Sequence, residues 1–498
     1  MKFTVPLTGR QNTRISPSGT PGPSSGVVGI GVVGVMIVGL GGIASDKDER
    51  WINCFLTDNG GRKVAMKRPG RAALNTPASG SIGSAIMIWT GAGAGTAVIT
   101  AFGATNSTIY SGTSSLGAIT GKARSIVEAD IADTPTILVS SGDSTAWYYD
   151  AGATVAVMTN ITDGQFPGNA GLTTAGGFAV IDGFHCIMTT NGRLYASDVN
   201  SVTAWTANNY TPVNSYPDQG VGAVRFKDQI MAFKKQSCQF FKNAGLSPFP
   251  LQNTANQTVK VGAVSSDAIA TLADNVFWCG STDKGGLSVF QYDGSFSRIS
   301  TPEIDNQLNL VGPSNVSLTT ERSYGRSWVR VSANATTYVY CLEDKIWHED
   351  STVSQLSYKC AGLSAGTQIL TYSISNVSTS GKVFVINPAA LTFLDNGVAF
   401  TASIQSANDD QDSPYSKDWT YLAAMADIEP SESLMNVYYS DDDYNTWTLA
   451  GTWDLSDDKQ YLTALGTSPR QRAWKFTHAS DAAFRISKFL GEVKIGTT

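Results

Sequence analysis

Phe178-Ala-Val-Ile181, a turn at Asp182-Gly183, Phe184-His-Cys-Ile-Met188, a second turn at Asn191-Gly192, and then Leu194-Tyr195 make up one unit of a longer stretch. That stretch, Gly176 to Ile299, reads as three copies of the same design. In each copy a short apolar run meets a turn carrying an aspartate, a second run follows at once, and a polar turn leads to a third. Asp182, Asp228 and Asp274 stand 46 residues apart each time. Phe226 and Gln229-Ile-Met-Ala-Phe233 flank the second, and Leu272 and Val276-Phe-Trp-Cys279 flank the third. Runs this short, rich in β-branched and aromatic residues and cut by Asp-Gly, Asn-Gly or Lys-Asp, are strands of antiparallel hairpins. A hairpin unit with a period of about 40 to 50 residues buries its faces only by stacking on its neighbours, as a β-propeller blade does. A long β-sandwich with regular turns is the competing reading of the same spacing.

The pattern extends both ways. Turns near Gly95, Asp133, Asp182, Asp228, Asp274, Gly325 and Gly366 each precede an apolar run. The additional runs are Thr96-Ala-Val-Ile99, Thr136-Ile-Leu-Val139, Trp328-Val-Arg-Val331 and Gln368-Ile-Leu-Thr-Tyr372. The spacings are 38, 49, 46, 46, 51 and 41. Seven openings predict an all-β chain with a propeller of six or seven blades, since one unit can close the ring or belong to a flanking domain. The propeller is expected over residues 81–392. An extended arm (1–45) and N-terminal strands (46–80) lead into it, and a β-sandwich-like domain (393–498) follows. Asp305 to Pro313 is expected to join two units, and no stretch reads as an amphipathic helix.

Composition narrows the function. Of 498 residues 42% are hydrophobic, enough for packed cores, while only 15% are charged and the net charge is -6. Such a chain offers no basic face to hold nucleic acid by counterion release, although a wall that lets DNA slide past can be acidic. Six cysteines (Cys54, Cys186, Cys238, Cys279, Cys341, Cys360) lie far apart without a C-x-x-C pair. They read as buried thiols of a chain folded in a reducing cytoplasm rather than as a disulfide framework. His185, His348 and His478 are too scattered for a metal cluster. His185, between Phe184 and Cys186, reads as a structural strand residue.

Residues 1 to 25 are polar and rich in Pro, Gly and Ser, and Gly26 to Ala44 follow without a charge and with many glycines. A transmembrane span, a signal peptide ending at Gly42-Ile43-Ala44, and an insertion packed inside an oligomer all fit that block. The expectation favours the packed insertion. Near the other end, Ser440, Asp442, Thr446 and Trp447 fit the S-x-D-x-G-x-T-W turn known as an Asp box, with Tyr444 where glycine should stand. In such a turn carboxylate and hydroxyl accept loop N–H groups, so the motif is structural. Three adjacent aspartates also raise calcium, but no EF-type ligand spacing follows. No catalytic, cofactor or metal residues are assigned.

Both ends resemble one family. Val5-Pro-Leu-Thr-Gly9, the strand Arg50-Trp-Ile-Asn53-Cys-Phe55 and the ending Arg68-Pro-Gly70 look like the start of the tail nozzle, or packaged-DNA stabilisation, proteins of short-tailed phages. The order Ser-Asp-Asp turn (Ser440 to Asp442), Thr446-Trp447, Arg472-x-Trp474, Asp481-x-x-Phe484-Arg485 is similar to their C-terminal domain. The resemblance implies a structural virion protein made in the host cytoplasm. It would form a homohexameric ring below the portal and adaptor (head-to-tail connector) rings, retain packaged DNA, carry tail fibres, spikes or a needle, and open at DNA ejection. DNA would pass only transiently through the lumen, no cofactor is implied, and contact with a membrane is not expected. In the family the two N-terminal pieces lie closer together, so Gly26 to Ala44 looks like an insertion.

Two alternatives remain. A propeller glycosidase of the sialidase kind is raised by the Asp box, by Phe484-Arg485-Ile486, and by the Glu321, Arg322, Tyr324, Arg326 cluster. Glycosidases, however, need two placed acidic partners across a cleft. A membrane-anchored or exported surface propeller rests on residues 26–44 alone.

Overall fold

Each apolar run that sets the repeat is the second strand of a sheet, and seven such sheets follow one another along the chain. The computed structural model describes residues 2–6, 8–9, 37–38, 49–59, 62–89, 97–131, 134–214, 216–281, 285–323, 325–333, 336–351, 358–363, 370–375 and 381–496. The turns near Gly95, Asp133 and Gly366, Tyr324, and the Gly26 to Ala44 block apart from Ile37–Val38 lie outside the described residues. The chain divides into two units: Arg71–Glu343 with Ser354–Leu391, and Met1–Gly70 with Asp344–Val353 and Thr392–Thr498.

The unit beginning at Arg71 is the propeller. Its first blade is the antiparallel run Gly83–Trp89, Ala97–Phe102, Ser107–Ser111, Ser114–Ile119. Four more four-stranded blades open at Ala123–Ile131, Thr174–Ile181, Gly220–Phe226 and Ile269–Leu272. The sixth contains Val316–Ser323, Arg326–Ala333 and Thr336–Cys341. In the seventh, Tyr358–Leu363, Thr371–Ser375 and Val383–Ile386 are completed by Ala72–Asn75 from the opposite end of the unit. First and last strands of the unit thus share a blade, which closes the ring at seven.

The second strands read as unbroken apolar runs because they are covered on both faces. Thr134–Ser141, Phe184–Thr189, Gln229–Lys234, Asn275–Ser281 and Arg326–Ala333 are buried over nearly their whole length. Five hydrophobic clusters each fill the space between two successive blades. Between the fourth and fifth, Phe233 meets Trp278 at 5.3 Å and Phe240 meets Tyr292 at 4.8 Å between ring centres. Such pairs add about 0.5–1.5 kcal/mol each beyond the area they bury.

The hairpin turns close at the pairs Ile181↔Phe184, Phe226↔Gln229 and Leu272↔Asn275. Their first turn residues, Asp182, Lys227 and Ala273, are left-handed (φ 47, 54 and 52), as is Gly183 (φ 79). The evenly spaced aspartates are therefore not equivalent: Asp182 takes the first turn position, Asp228 and Asp274 the second.

One expectation is overturned. Pro302–Val311 is an α-helix, not a bare connector. Thr301 caps it, Pro302 starts it, and Ile304 and Leu308 bury its inner side. Pro302 and Pro313 resemble loop punctuation, yet proline at the first helical position is a start signal.

The second unit is a two-sheet sandwich. One sheet runs Gln460–Thr463, Lys417–Ala426, Arg485–Ile495, Arg62–Lys67, Cys54–Asn59, with Lys2–Pro6 also paired to Arg485–Ile495. The other contains Ile346–Asp350, Arg50–Ile52, Ala402–Gln405, Ala473–His478, Leu434–Ser440 and Thr448–Asp454 in that order. Their facing residues form one core in which Phe476 stacks on Phe489 at 4.0 Å and Trp453 on Phe476 at 5.6 Å. Residues 50–67, read as leading into the propeller, are thus strands of the sandwich, and so is 346–350.

Candidate functional site

The N-terminal motif residues meet around a buried charge network within the sandwich unit. Asn53 breaks the strand with φ 55. Its carbonyl oxygen accepts from Arg68 Nε (2.9 Å) and Ser351 N (3.0 Å), and its amide donates to the Thr401 carbonyl (2.7 Å). Arg68 grips Asp395 with two N–H groups (3.1 and 2.5 Å), approaches Asp350 at 3.6 Å, and lies 3.9 Å from the centre of the Phe400 ring. Arg50 forks onto Glu349 at 3.1 and 2.8 Å. Gly70 donates to Thr392 O (2.7 Å), and a Cβ there would fall 2.1 Å from Leu394 O. The motif fixes residues 344–351 and 392–400 to the first strands.

The C-terminal motif makes a second node. Arg472 is buried, donates to both oxygens of Asp441 (2.7 Å each), and sits 4.1 Å from the centre of Tyr439 and 5.4 Å from Trp419 and Trp474. Next to it, Asp442 accepts from Thr446 N (2.9 Å), Thr446 Oγ1 (2.6 Å) and Ser440 Oγ (2.9 Å), and Ser440 Oγ accepts from Tyr444 N (3.0 Å). The Thr446 hydrogen bonds hold the Asp442 carboxyl down at about 2. Tyr444 has φ 66, the left-handed backbone that explains why glycine is the usual residue there. The three aspartates diverge: Asp441 faces Arg472, Asp442 its own loop, and Asp443 accepts from Asn408 (2.9 Å). Among the described residues no group of three or more His, Cys, Asp or Glu is placed to hold a metal ion.

Of the residues that raised a glycosidase, Glu321, Phe484 and Ile486 serve the framework. Glu321 is buried against Arg71 (2.6 Å) with Arg330 at 3.8 Å, and these guanidinium groups help hold its carboxyl below the usual range despite burial. Phe484 and Ile486 are core residues, and Arg485 pairs with Asp427 at 2.7 Å. Buried His185 contacts Ser197 Oγ and Ser201 O, each at 3.2 Å. His478 receives hydrogen bonds or donates to Ser433 and Ser480 Oγ (2.8 Å each) and lies 3.4 Å from Lys67 Nζ. Burial, then the Lys67 charge, push it down to about 3, while burial lowers Lys67 to about 8. Cys54, Cys186, Cys238, Cys279 and Cys341 are free and buried. Sequence reasoning missed Arg71 and Lys67: their partners lie hundreds of residues away, and no local pattern records them.

The propeller's innermost strands surround a cavity of about 330 Å³ lined by small side chains, among them Ser84, Ser125, Gly177, Gly222, Thr271 and Thr320. Gly176 permits this narrowness: a Cβ there would fall 2.8 Å from Gly222 Cα. Arg124 and Asp267 are its charged lining residues, and Arg124 donates to the carbonyls of Thr174 (2.9 Å) and Gly142 (3.3 Å). Among the described residues no helix is long and apolar enough to cross a membrane.

A seven-bladed propeller in one unit and a two-sheet sandwich in the other define a β-propeller protein. The chain matches the phage-stabilisation family, described as bacteriophage P22 Gp10, β-propeller, over residues 98–357, and belongs to that family. It is a phage virion protein of the packaged-DNA-stabilising class. No curated protein matches the chain. Among solved structures it is similar to Raptor of Chaetomium thermophilum (9% identity, 68% of this chain and 29% of that one, TM-score 0.40). It is also similar to BamB of Moraxella catarrhalis (14%, 69% and 97%, 0.35) and to the Pan2 WD40 domain of Neurospora crassa (11%, 64% and 94%, 0.39). The chain therefore spans less than a third of the Raptor chain.

Proposed function

We propose that this protein is a tail nozzle subunit. Six copies form a ring that extends the DNA channel below the portal and adaptor, retains packaged DNA, supports fibres, spikes or a needle, and opens at ejection. Family membership over the propeller carries the reading. In this reading DNA runs through a bore built between copies, not through the axial cavity of one propeller. A net charge of -6 also keeps the wall from binding the phosphate backbone tightly. The test is the mass of the purified full-length protein, alone and mixed with the adaptor ring, by mass photometry and negative-stain imaging. Hexameric rings, alone or on the adaptor, are expected; a monomer that ignores the adaptor refutes the ring.

A further inference from the structure

We propose that residues 10–36 of this chain dock on one end of its own sandwich unit, where an apolar patch is rimmed with carboxylates. Three loops meet at that end: 427–433, 455–459 and 479–484. Strand pairing brings them together, through Ala426↔Ile486 in one sheet and through Met435↔His478 and Leu434↔Asp454 in the other. Glu429 N also donates to Leu455 O at 2.9 Å, and Asp427 N to Arg485 O at 2.9 Å.

The loops carry Asp427, Glu429, Glu432, Asp457, Asp458 and Asp481 against one cation, Lys459, in a chain whose whole net charge is -6. Arg485, at the start of its strand, pairs with Asp427 at 2.7 Å. Burial, then the Asp427 charge, push the Glu429 carboxyl up, a crowding that an added cation relieves. Among these acids stand Ile428, 60% exposed, Leu434, 44%, and Met425, 43%. Apolar surface rimmed by polar groups marks a contact site. Among the described residues no cluster is placed to hold a metal ion, so the carboxylates call for a cationic chain instead.

The path of the N-terminal strand identifies that chain. Lys2–Pro6 pairs with Arg485–Ile495 from Lys2↔Glu492 to Pro6↔Lys488, so it runs toward Arg485 and the three loops. Pro6 stands three residues, about 10 Å, from that end. Thr8–Gly9 follow and pair in parallel with Ile37–Val38, which pins the two ends of residues 10–36 together. A parallel pair needs a crossover of about a dozen residues. This one has 27, enough to reach out about 40 Å and return. Residues 10–36 contain Arg10 and Arg14, no acidic side chain, and a run from Val27 to Met36 made only of Val, Ile, Gly and Met. Arginines for the carboxylates and aliphatic side chains for Ile428 and its neighbours are the complement that this end lacks. The pinned base favours the chain's own sandwich over a second copy. The inference does not depend on ring assembly.

The experiment places a benzophenone photo-crosslinking residue at position 428 of the full-length protein and sequences the crosslinked peptides by mass spectrometry in an equal mixture of isotopically heavy and light chains. Crosslinks to residues 10–36 of the same chain are expected. Crosslinks to another copy, or none to residues 10–36, overturn the proposal. Independently, trypsin is expected to cut after Arg14 about tenfold faster in the double variant Asp457→Lys, Asp458→Lys than in the parent, because cleavage tracks the undocked population. Equal rates at equal thermal midpoints overturn it as well; should the double variant fail to fold, the crosslink alone decides.

Discussion

Arg68 sits where one side chain neutralises buried acid and fixes three chain segments at once. Removing its charge takes the two-pronged ion pair from buried Asp395, and breaking a buried pair from one side costs about 3–5 kcal/mol. Arg68→Met is therefore expected to lower urea stability by that amount, and a change below about 1 kcal/mol would show the pair to be ornamental. His478 gives a pH signature. Its folded value near 3 lies below the ordinary 6.5, so the unfolded chain takes up the proton first as pH falls. Its contribution is complete above about 6.5 and is lost between there and about 3. His478→Gln is expected to flatten stability across that window, with Lys67, Ser433, Ser480 and Phe484 as its surroundings. An unchanged slope in urea midpoints from pH 6.5 to 4 contradicts the assignment. These residues carry their weight through partners remote in sequence. The motifs Arg50-x-x-Asn53 and Arg68-Pro-Gly70 were legible as patterns while their job was not.

At the scale of elements, the second strands were readable because double-sided burial forces consecutive apolar residues. The first strands were legible only in part: Phe178-Ala-Val-Ile181 is an apolar run, while Ser84, Ser125 and Gly177 line the narrow axial cavity and interrupt the pattern. The helix Pro302–Val311 escaped because it is short and bracketed by prolines, although Thr301-Pro302 is a cap followed by a start. The fifth blade's hairpin turn supplies a test. Ala273 is exposed and left-handed at φ 52; that conformation costs an L-residue about 1–2 kcal/mol, against the 0.5–1 kcal/mol that glycine loses in chain entropy. Ala273→Gly is expected to raise stability by up to about 1 kcal/mol, visible as a higher thermal midpoint. A lowered midpoint would mean the methyl group matters in a way the turn geometry does not reveal. The Asp-box turn was legible down to Ser440, Asp442, Thr446 and Trp447.

Over the whole molecule, the propeller closes by pairing its earliest strand, Ala72–Asn75, with its last blade. Arg71 stands at that seam, donating to Ser373 at 3.0 Å and to Glu321 at 2.6 Å. Arg71→Met removes the closer of the two guanidinium groups from buried Glu321, which keeps Arg330 at 3.8 Å and the Ser323 hydroxyl at 3.0 Å, and about 3 kcal/mol of propeller stability is expected to go with it. A urea midpoint equal to that of the parent protein would refute the seam's role. The period announced the blades, but it could not announce that residues 344–351 leave the propeller unit for the sandwich, because pairings such as Glu349↔Ile52 leave no local trace. The central claim is that this chain keeps packaged DNA inside the particle, and the most direct measurement is DNA retention in particles assembled with and without it. Particles lacking the chain are expected to package DNA and then lose it, with retention restored when purified protein is added back; particles that hold their DNA equally well without it would contradict the account.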